Sequence, residues 1–211
     1  IAPGKDLEEG CVYESNSFSL QAALRQAGII EIAVFHVGDD PGMLADTLRE
    51  ALEKSDLVLL TGGVSVGDYD FTLEAAERNG VSAIFHKIKQ RPGKPLFFGT
   101  RDEKLVFGLP GNPSSVLTCF YEYVLEAISI QQNKDLRLRP RFLALEKGYT
   151  KNPGFTHFLK GIEQGETVKA LDGQESYKLN SFARANCLIV IPEDVTVSEA
   201  GSLVEIHPLP Q

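Results

Sequence analysis

Between residues 15 and 130 the apolar positions switch repeatedly between helical and strand spacing. In "SNSFSLQAALRQAG", Leu20, Ala23, Leu24 and Ala27 share one helix face, with Ser15 or Asn16 as cap and Gly28 as stop. "IIEIAVFHV" (29–37) is rich in branched residues and predicts a strand. A second helix follows over "GDDPGMLADTLREALEKS": Asp40 suits its cap, Pro41 its first position, and Leu44, Leu48 and Ala51 one face. "DLVLL" (56–60) is short and wholly apolar, as a strand covered on both faces should be. Beyond "TGGVSVGDYDF" the pattern predicts a helix to about Arg78, a strand "VSAIFHKI", two strands around the polar turn "RDEK", and a long helix from Pro113 to Ile130. Strands and helices in this order predict a doubly wound, mostly parallel α/β sheet.

The pattern changes across "SIQQNKDLRLRP" (129–140). From Arg141 onward short alternating runs such as "THFLKGIE", "CLIVIP" and "SLVEIHPL" are separated by Gly, Pro and Asn. They predict a small all-β domain over 141–211, after an α/β domain over 1–135.

Composition adds exclusions. Of the 211 residues 43% are hydrophobic and 24% charged, enough apolar material for a folded core. A net charge of −8 argues against a general nucleic-acid binder, and no apolar run reaches membrane-spanning length. Cys11, Cys119 and Cys187 are far apart and form no CxxC pair, so reduced thiols of a cytoplasmic protein are expected. The four histidines are scattered without zinc-ligand spacing.

Candidate chemistry gathers at strand ends, where doubly wound proteins bind ligands. Gly62, Gly63 and Gly67 allow close backbone approach, so successive N–H groups can face an anion, while Asp68 and Asp70 are hard oxygen donors suited to Mg²⁺. A plain tight turn with a capping aspartate fits that loop equally well. In "FGLPGNPSSVLTCF", Asn112 and Pro113 build a helix start whose Ser114 and Ser115 offer N–H and hydroxyl donors to an oxyanion, or simply cap the helix. "HKIKQRPGKP" places Lys87, Lys89, Arg91 and Lys94 in an otherwise acidic chain, as an oxyanion clamp or a solvated edge. Asp39 and Asp40 close the preceding segment at the same rim. Taken together they describe an anionic, phosphorylated, metal-assisted ligand.

At these residues the chain resembles the molybdopterin molybdenumtransferase family, which includes MoeA and the gephyrin E domain. "TGGVSVGDYDF", "KIKQRPGKP" and "GLPGNPSSV" match that family's SGGVS-x-G-x-x-D, K-x3-[KR]-PGKP and LPGNP-x-S patterns in order, and "VGDDP", "ESNSF" and "ANCLIVIPED" agree. The resemblance implies insertion of molybdate into adenylylated molybdopterin with release of AMP, assisted by Mg²⁺. It implies Asp70 and Asp39, with Asp68, as metal or catalytic carboxylates, and Lys87, Arg91 and Lys94 as contacts to molybdate or phosphate. Gly62, Gly63, Val64, Ser65, Gly67, Pro110, Gly111, Asn112, Pro113 and Ser114 would form the pterin-phosphate pocket. Asp68 stands where Glu is commoner, and Arg91 where Lys also occurs. The family's first strand and two further domains are expected ahead of "IAPGKDLEEG", in a longer, homodimeric protein that works with a molybdopterin adenylyltransferase and with molybdoenzymes. Two other readings remain: a pterin adenylyltransferase, against which stand Val64-Ser65 and the β tail, and a pterin-phosphate-binding scaffold without turnover.

Overall fold

A computed structural model describes residues 1, 3–38, 40–62 and 71–210. Helix α1 (Asn16–Gln26) starts where the Glu14 carboxylate accepts from the Ser17 N–H at 2.8 Å, and ends at Gly28, whose φ of 84° only glycine adopts cheaply. Helix α2 (Pro41–Lys54) is capped as its sequence indicates, the Asp40 side chain accepting from the Met43 N–H at 2.8 Å. Strand β1 (Leu57–Thr61), helix α3 (Phe71–Arg78) and strand β2 (Ser82–Lys87) follow. Then come β3 (Gln90–Arg91) and the hairpin of β4 (Pro95–Arg101) and β5 (Lys104–Leu109). The long helix is three consecutive pieces: α4 (Pro113–Cys119), a π turn (Phe120–Val124) and α5 (Leu125–Gln131).

The first sheet runs β1-β5-β4-β2. Only β1 and β5 are parallel neighbours; β4 is antiparallel to both β5 and β2. The sheet is therefore mixed, not the doubly wound parallel sheet that strand–helix alternation indicates. The cause is the tight turn at Asp102 (φ 54°), which folds β5 back beside β4. Helices do cover both faces. Leu48, Leu52, Ala75 and Ala76 pack with Phe97 and Val106 on one side. Leu20, Leu24, Val116 and Phe120 pack with Leu96 and Phe107 on the other.

The strand expected at 29–37 does not form. Between the Ile29 N–H bond to the Leu24 carbonyl and the Asp40 N–H bond to the Gly38 carbonyl, this segment makes no backbone hydrogen bond among the described residues. Its apolar composition is unused where Ile30 is 84% exposed. Strand geometry needs a paired neighbour. Here a cavity of about 550 Å³ separates 29–38 from the free edge of β1.

Beyond residue 140 lie β6 (Arg141–Leu145), β7 (Tyr149–Thr150), β8 (Thr156–Gln164), β9 (Thr167–Ala170), β10 (Cys187–Ile191), β11 (Val197–Ser198) and β12 (Leu203–Pro208), with one short helix, α6 (Leu179–Arg184). The main sheet here is β10-β12-β6-β9-β8-β3, so β3 from the first half of the chain joins it, parallel to β8. Leu145, Val168, Ile189 and Ile206 form its core. The two halves share further apolar contact where Phe182, Leu188 and Leu209 join the core beneath α1 and α4. No helix among the described residues is long and apolar enough to cross a membrane.

Candidate functional site

The candidate site residues gather at strand ends because three of the strands point the same way. β1 and β5 are parallel and in register to their last pair, Thr61 with Leu109. β2, two antiparallel steps from β5, therefore also runs with them. Gly62, Lys87 and Pro110 all leave the sheet at this one edge. The loops after β1 and β5 touch: a Cβ on Gly111 would lie 4.0 Å from the Gly62 Cα. Asn16, at the start of α1, donates from Nδ2 to the Gly111 carbonyl at 2.9 Å, while its buried Oδ1 has no partner among the described residues.

Lys87 to Lys94 folds down onto α4. The Arg91–Pro92 peptide is cis, and Gly93 (φ 91°) sits so close to the helix that a Cβ would fall 2.7 Å from both Cys119 Sγ and Gln90 Nε2. Gln90 is buried and fixes the turn, donating to the Pro92 carbonyl at 3.0 Å and to Cys119 Sγ at 3.4 Å; Tyr123 donates to its Oε1. Burial pushes the Cys119 thiol well up, so it packs as an inert apolar group. Among the described residues the side chains of Lys87 and Arg91 make no hydrogen bond or ion pair, and Lys94 lies 5.7 Å from the centroid of the Phe155 ring.

The start of α4 differs from its sequence expectation. Asn112 occupies the cap position, but its side chain does not cap the helix: Nδ2 donates to Ser176 Oγ at 2.8 Å. The Ser114 N–H is likewise engaged, by the Ser176 carbonyl at 3.0 Å. The Ser114 hydroxyl oxygen is buried and has no partner among the described residues. A residue 64 positions further along thus covers the turn, and one of the donors expected to face an oxyanion is already satisfied.

Ser176 is held there by Lys160, which sequence reasoning passed over. Lys160 is 1% exposed on β8, and its ammonium donates to the carbonyls of Gly173 (2.9 Å), Glu175 (3.2 Å) and Lys178 (3.5 Å). Gln174 completes the tie, accepting from the Lys160 N–H and donating to its carbonyl. The signal in the sequence is a lysine at an inward position of the apolar run "THFLKGIE". Burial depresses its pKa from 10.5 to about 8, against the opposing pull of Glu175 and with the help of Lys178. Between those values the unfolded chain binds the extra proton, so stability should rise with pH across that window. Lys160→Met should abolish that rise and cost about 1–3 kcal/mol at pH 7, because three carbonyls lose their donor. Urea titrations of both proteins at pH 7 and pH 10 measure both effects; parallel curves would remove Lys160 from this role.

Asp39, Asp68 and Asp70, with Gly63, Val64, Ser65 and Gly67, lie outside the described residues. Among the described residues no group of three His, Cys, Asp or Glu side chains could hold a metal ion.

A mixed sheet with its strand-end loops gathered on one edge, helices on both faces and a β domain closing over α4 defines a two-part ligand-binding architecture. The chain belongs to the family described as "Probable molybdopterin binding domain", whose pattern covers residues 1–129; residues 143–209 match the MoeA C-terminal region (domain IV). A Haemophilus influenzae protein named molybdopterin molybdenumtransferase is 34% identical over 215 residues, 99% of this chain and 53% of that protein. A Nostoc protein of the same name is 32% identical over 216 residues, 97% of this chain and 49% of that protein. The crystal structure of the molybdopterin biosynthesis moea protein from Pyrococcus horikosii matches with a TM-score of 0.82 at 27% identity, over 99% of this chain and 51% of that one. The chain spans about half the length of these relatives.

Proposed function

We propose that this chain is the pterin- and molybdate-binding part of an enzyme of molybdenum cofactor synthesis. It would bring molybdate to adenylylated molybdopterin, with release of AMP. The observation that carries this reading is the convergence of Gly62, Lys87 and the Pro110–Asn112 turn on one strand-end edge, with the Arg91–Lys94 turn packed against the helix that follows. Loop backbone and the Asn112–Ser114 turn suit the pterin phosphate. Lys87, Arg91 and Lys94 suit molybdate or the nucleotide phosphate, since their charges are not spent on carboxylates among the described residues. Much of the work is then positioning and charge compensation. Asp39, Asp68 and Asp70 supply hard oxygen donors of the kind Mg²⁺ takes, and the ion bound there would neutralise a pyrophosphate during cleavage.

AMP release from adenylylated molybdopterin, with molybdate and Mg²⁺ added to the longer protein, tests the reading directly. Lys87→Ala and Lys94→Ala should each weaken molybdate binding, since a charge-assisted contact is worth ~1.5–3 kcal/mol, roughly ten- to a hundredfold in affinity. Lys169→Ala, an exposed position on β9, is the control and should bind as wild type. Lys104 serves less well, because its ammonium donates to the Ser55 carbonyl at 3.0 Å. Wild-type binding by both the Lys87 and Lys94 variants would reduce the basic stretch to surface charge.

A further inference from the structure

The turn from Ile88 to Lys94 is closed by its own backbone, the Ile88 N–H donating to the Lys94 carbonyl at 3.1 Å. Its interior is filled by the Gln90 amide, which is 3% exposed. The Pro92 carbonyl can only accept, so Gln90 Nε2 must face it and Oε1 must turn toward Tyr123. Tyr123 therefore has to donate, and it keeps the proton to do so. Burial first, then Cys119 and Glu122, push its phenol well above the ordinary value. Without that hydroxyl, Oε1 would be a buried acceptor lacking a donor among the described residues, a state that drives the amide out of the turn.

Tyr123 stands next to Glu122 on the π turn, and the Glu122 carboxylate is bound by His207 of β12, which Glu205 holds from its other ring nitrogen. Leu188 of β10 lies opposite His207, and Lys160 of β8 lies opposite Leu188. Further back along β8, Thr156 lies opposite Gln90 of β3. The contacts close a ring: β3 to Tyr123, Glu122 to β12, β12 through β10 to β8, and β8 back to β3. A ring has no free end. The π turn cannot shift against the β domain without straining either the Gln90–Tyr123 bond or the Glu122–His207 bridge.

We propose that Tyr123 is a positioning residue for the turn that carries Arg91 and Lys94, and that the Glu122–His207 bridge fixes where Tyr123 stands, so that the seam between the two halves sets the shape of that turn. This deepens the reading above and rests on it for the identity of the ligand. Tyr123 acts through Gln90, which in turn holds the Pro92 carbonyl and the Cys119 side of α4. The β domain thus governs the turn twice, directly where β8 pairs with β3 and indirectly through β12 and the π turn.

Two variants separate positioning from packing. Tyr123→Phe keeps the ring and removes the donor, while the double variant His207→Leu/Glu122→Leu removes the bridge without leaving a buried charge. Amide hydrogen exchange followed by NMR reads the state of the turn with no ligand present. In both variants the Ile88 amide should exchange at least about tenfold faster relative to the paired amides of the β4–β5 hairpin. The Gln90 side-chain NH₂ resonances should move as well. Molybdate, titrated by calorimetry, should bind both variants about tenfold more weakly than wild type. Exchange that rises equally at Ile88 and in the hairpin makes Tyr123 a packing residue and overturns the positioning role. Gln90 resonances or molybdate affinity unchanged in Tyr123→Phe overturn it too. Wild-type protection of Ile88 in the double variant overturns the link to the seam. If wild type binds no molybdate but the exchange pattern holds, the reading of the ligand fails and the positioning role stands.

Discussion

Replacing His207 by alanine should cost about 3–5 kcal/mol at pH 6, the expected loss when one partner of a buried charged pair is removed. His207 on β12 reaches out of the β domain: its Nδ1 lies 2.8 Å from Glu122 Oε2 and 2.9 Å from Oε1, while Nε2 lies 2.9 Å from Glu205 Oε1. The Glu122 side chain, on the π turn of the α/β half, is 7% exposed and has no other ion pair among the described residues. Alanine would leave that carboxylate in the seam between the halves with neither water nor cation. Burial works against the imidazolium, but hydrogen bonds and charge from Glu122 and Glu205 outweigh it, and the pKa is raised above 6.5. The sign follows: a raised histidine contributes fully below about pH 6.5 and loses its contribution as pH climbs through the raised value. Denaturant melts should therefore show wild type and His207→Ala far apart at pH 6 and closer at pH 9. The double variant His207→Leu/Glu122→Leu should recover most of the loss, since it removes both charges. A difference under 1 kcal/mol at pH 6 would mean the bridge is not a stabilising contact.

Gly93→Ala should be the other severe change, at about 2–5 kcal/mol. A left-handed backbone costs a non-glycine residue roughly 1–2 kcal/mol, and overpacking adds about 1–3 kcal/mol. The overpacking arises from contacts of 2.7 Å with Cys119 Sγ and Gln90 Nε2, both in the core-facing layer. Gly154→Ala separates the two costs, for its φ is 99° and nothing lies within 4 Å of the added methyl. It should show the backbone cost alone. Because the Gly93 turn carries Arg91 and Lys94, that variant should also lose molybdate affinity more than tenfold, whereas Gly154→Ala should not. Equal denaturant midpoints for the two variants would show that the close approach of the turn to α4 is dispensable.

Local signals in the sequence translated well. Asp40-Pro41 marks the start of α2, "RDEK" marks a hairpin turn, and the loop motifs fall at strand ends, because each depends on a few consecutive residues. Misreadings came from interactions that no local pattern encodes. Residues 29–37 have strand composition, but a strand also needs a neighbour to pair with. The α4 turn has the composition of an anion-binding helix start, yet Ser176 spends one of its donors from another domain. The β3 crossover is two residues long, too short to show a period of any kind. Lys160 was legible in principle: a charge in the middle of an apolar strand demands a partner, even when the sequence cannot say which.

The π turn at Phe120–Val124 has a consequence for how the chain tolerates length changes. Successive residues of a helix point about 100° apart. Glu122 and Tyr123 use that difference, one toward His207 in the β domain and the other toward Gln90 beneath the basic stretch. The wider turn sets the angular phase at which α4 hands over to α5. Removing a single residue here would rotate everything downstream by roughly a quarter of a circle and misalign two distant clasps at once. Insertions and deletions of one residue in this helix are thus constrained by the β domain and by the basic stretch together, even though both contacts lie far apart in sequence.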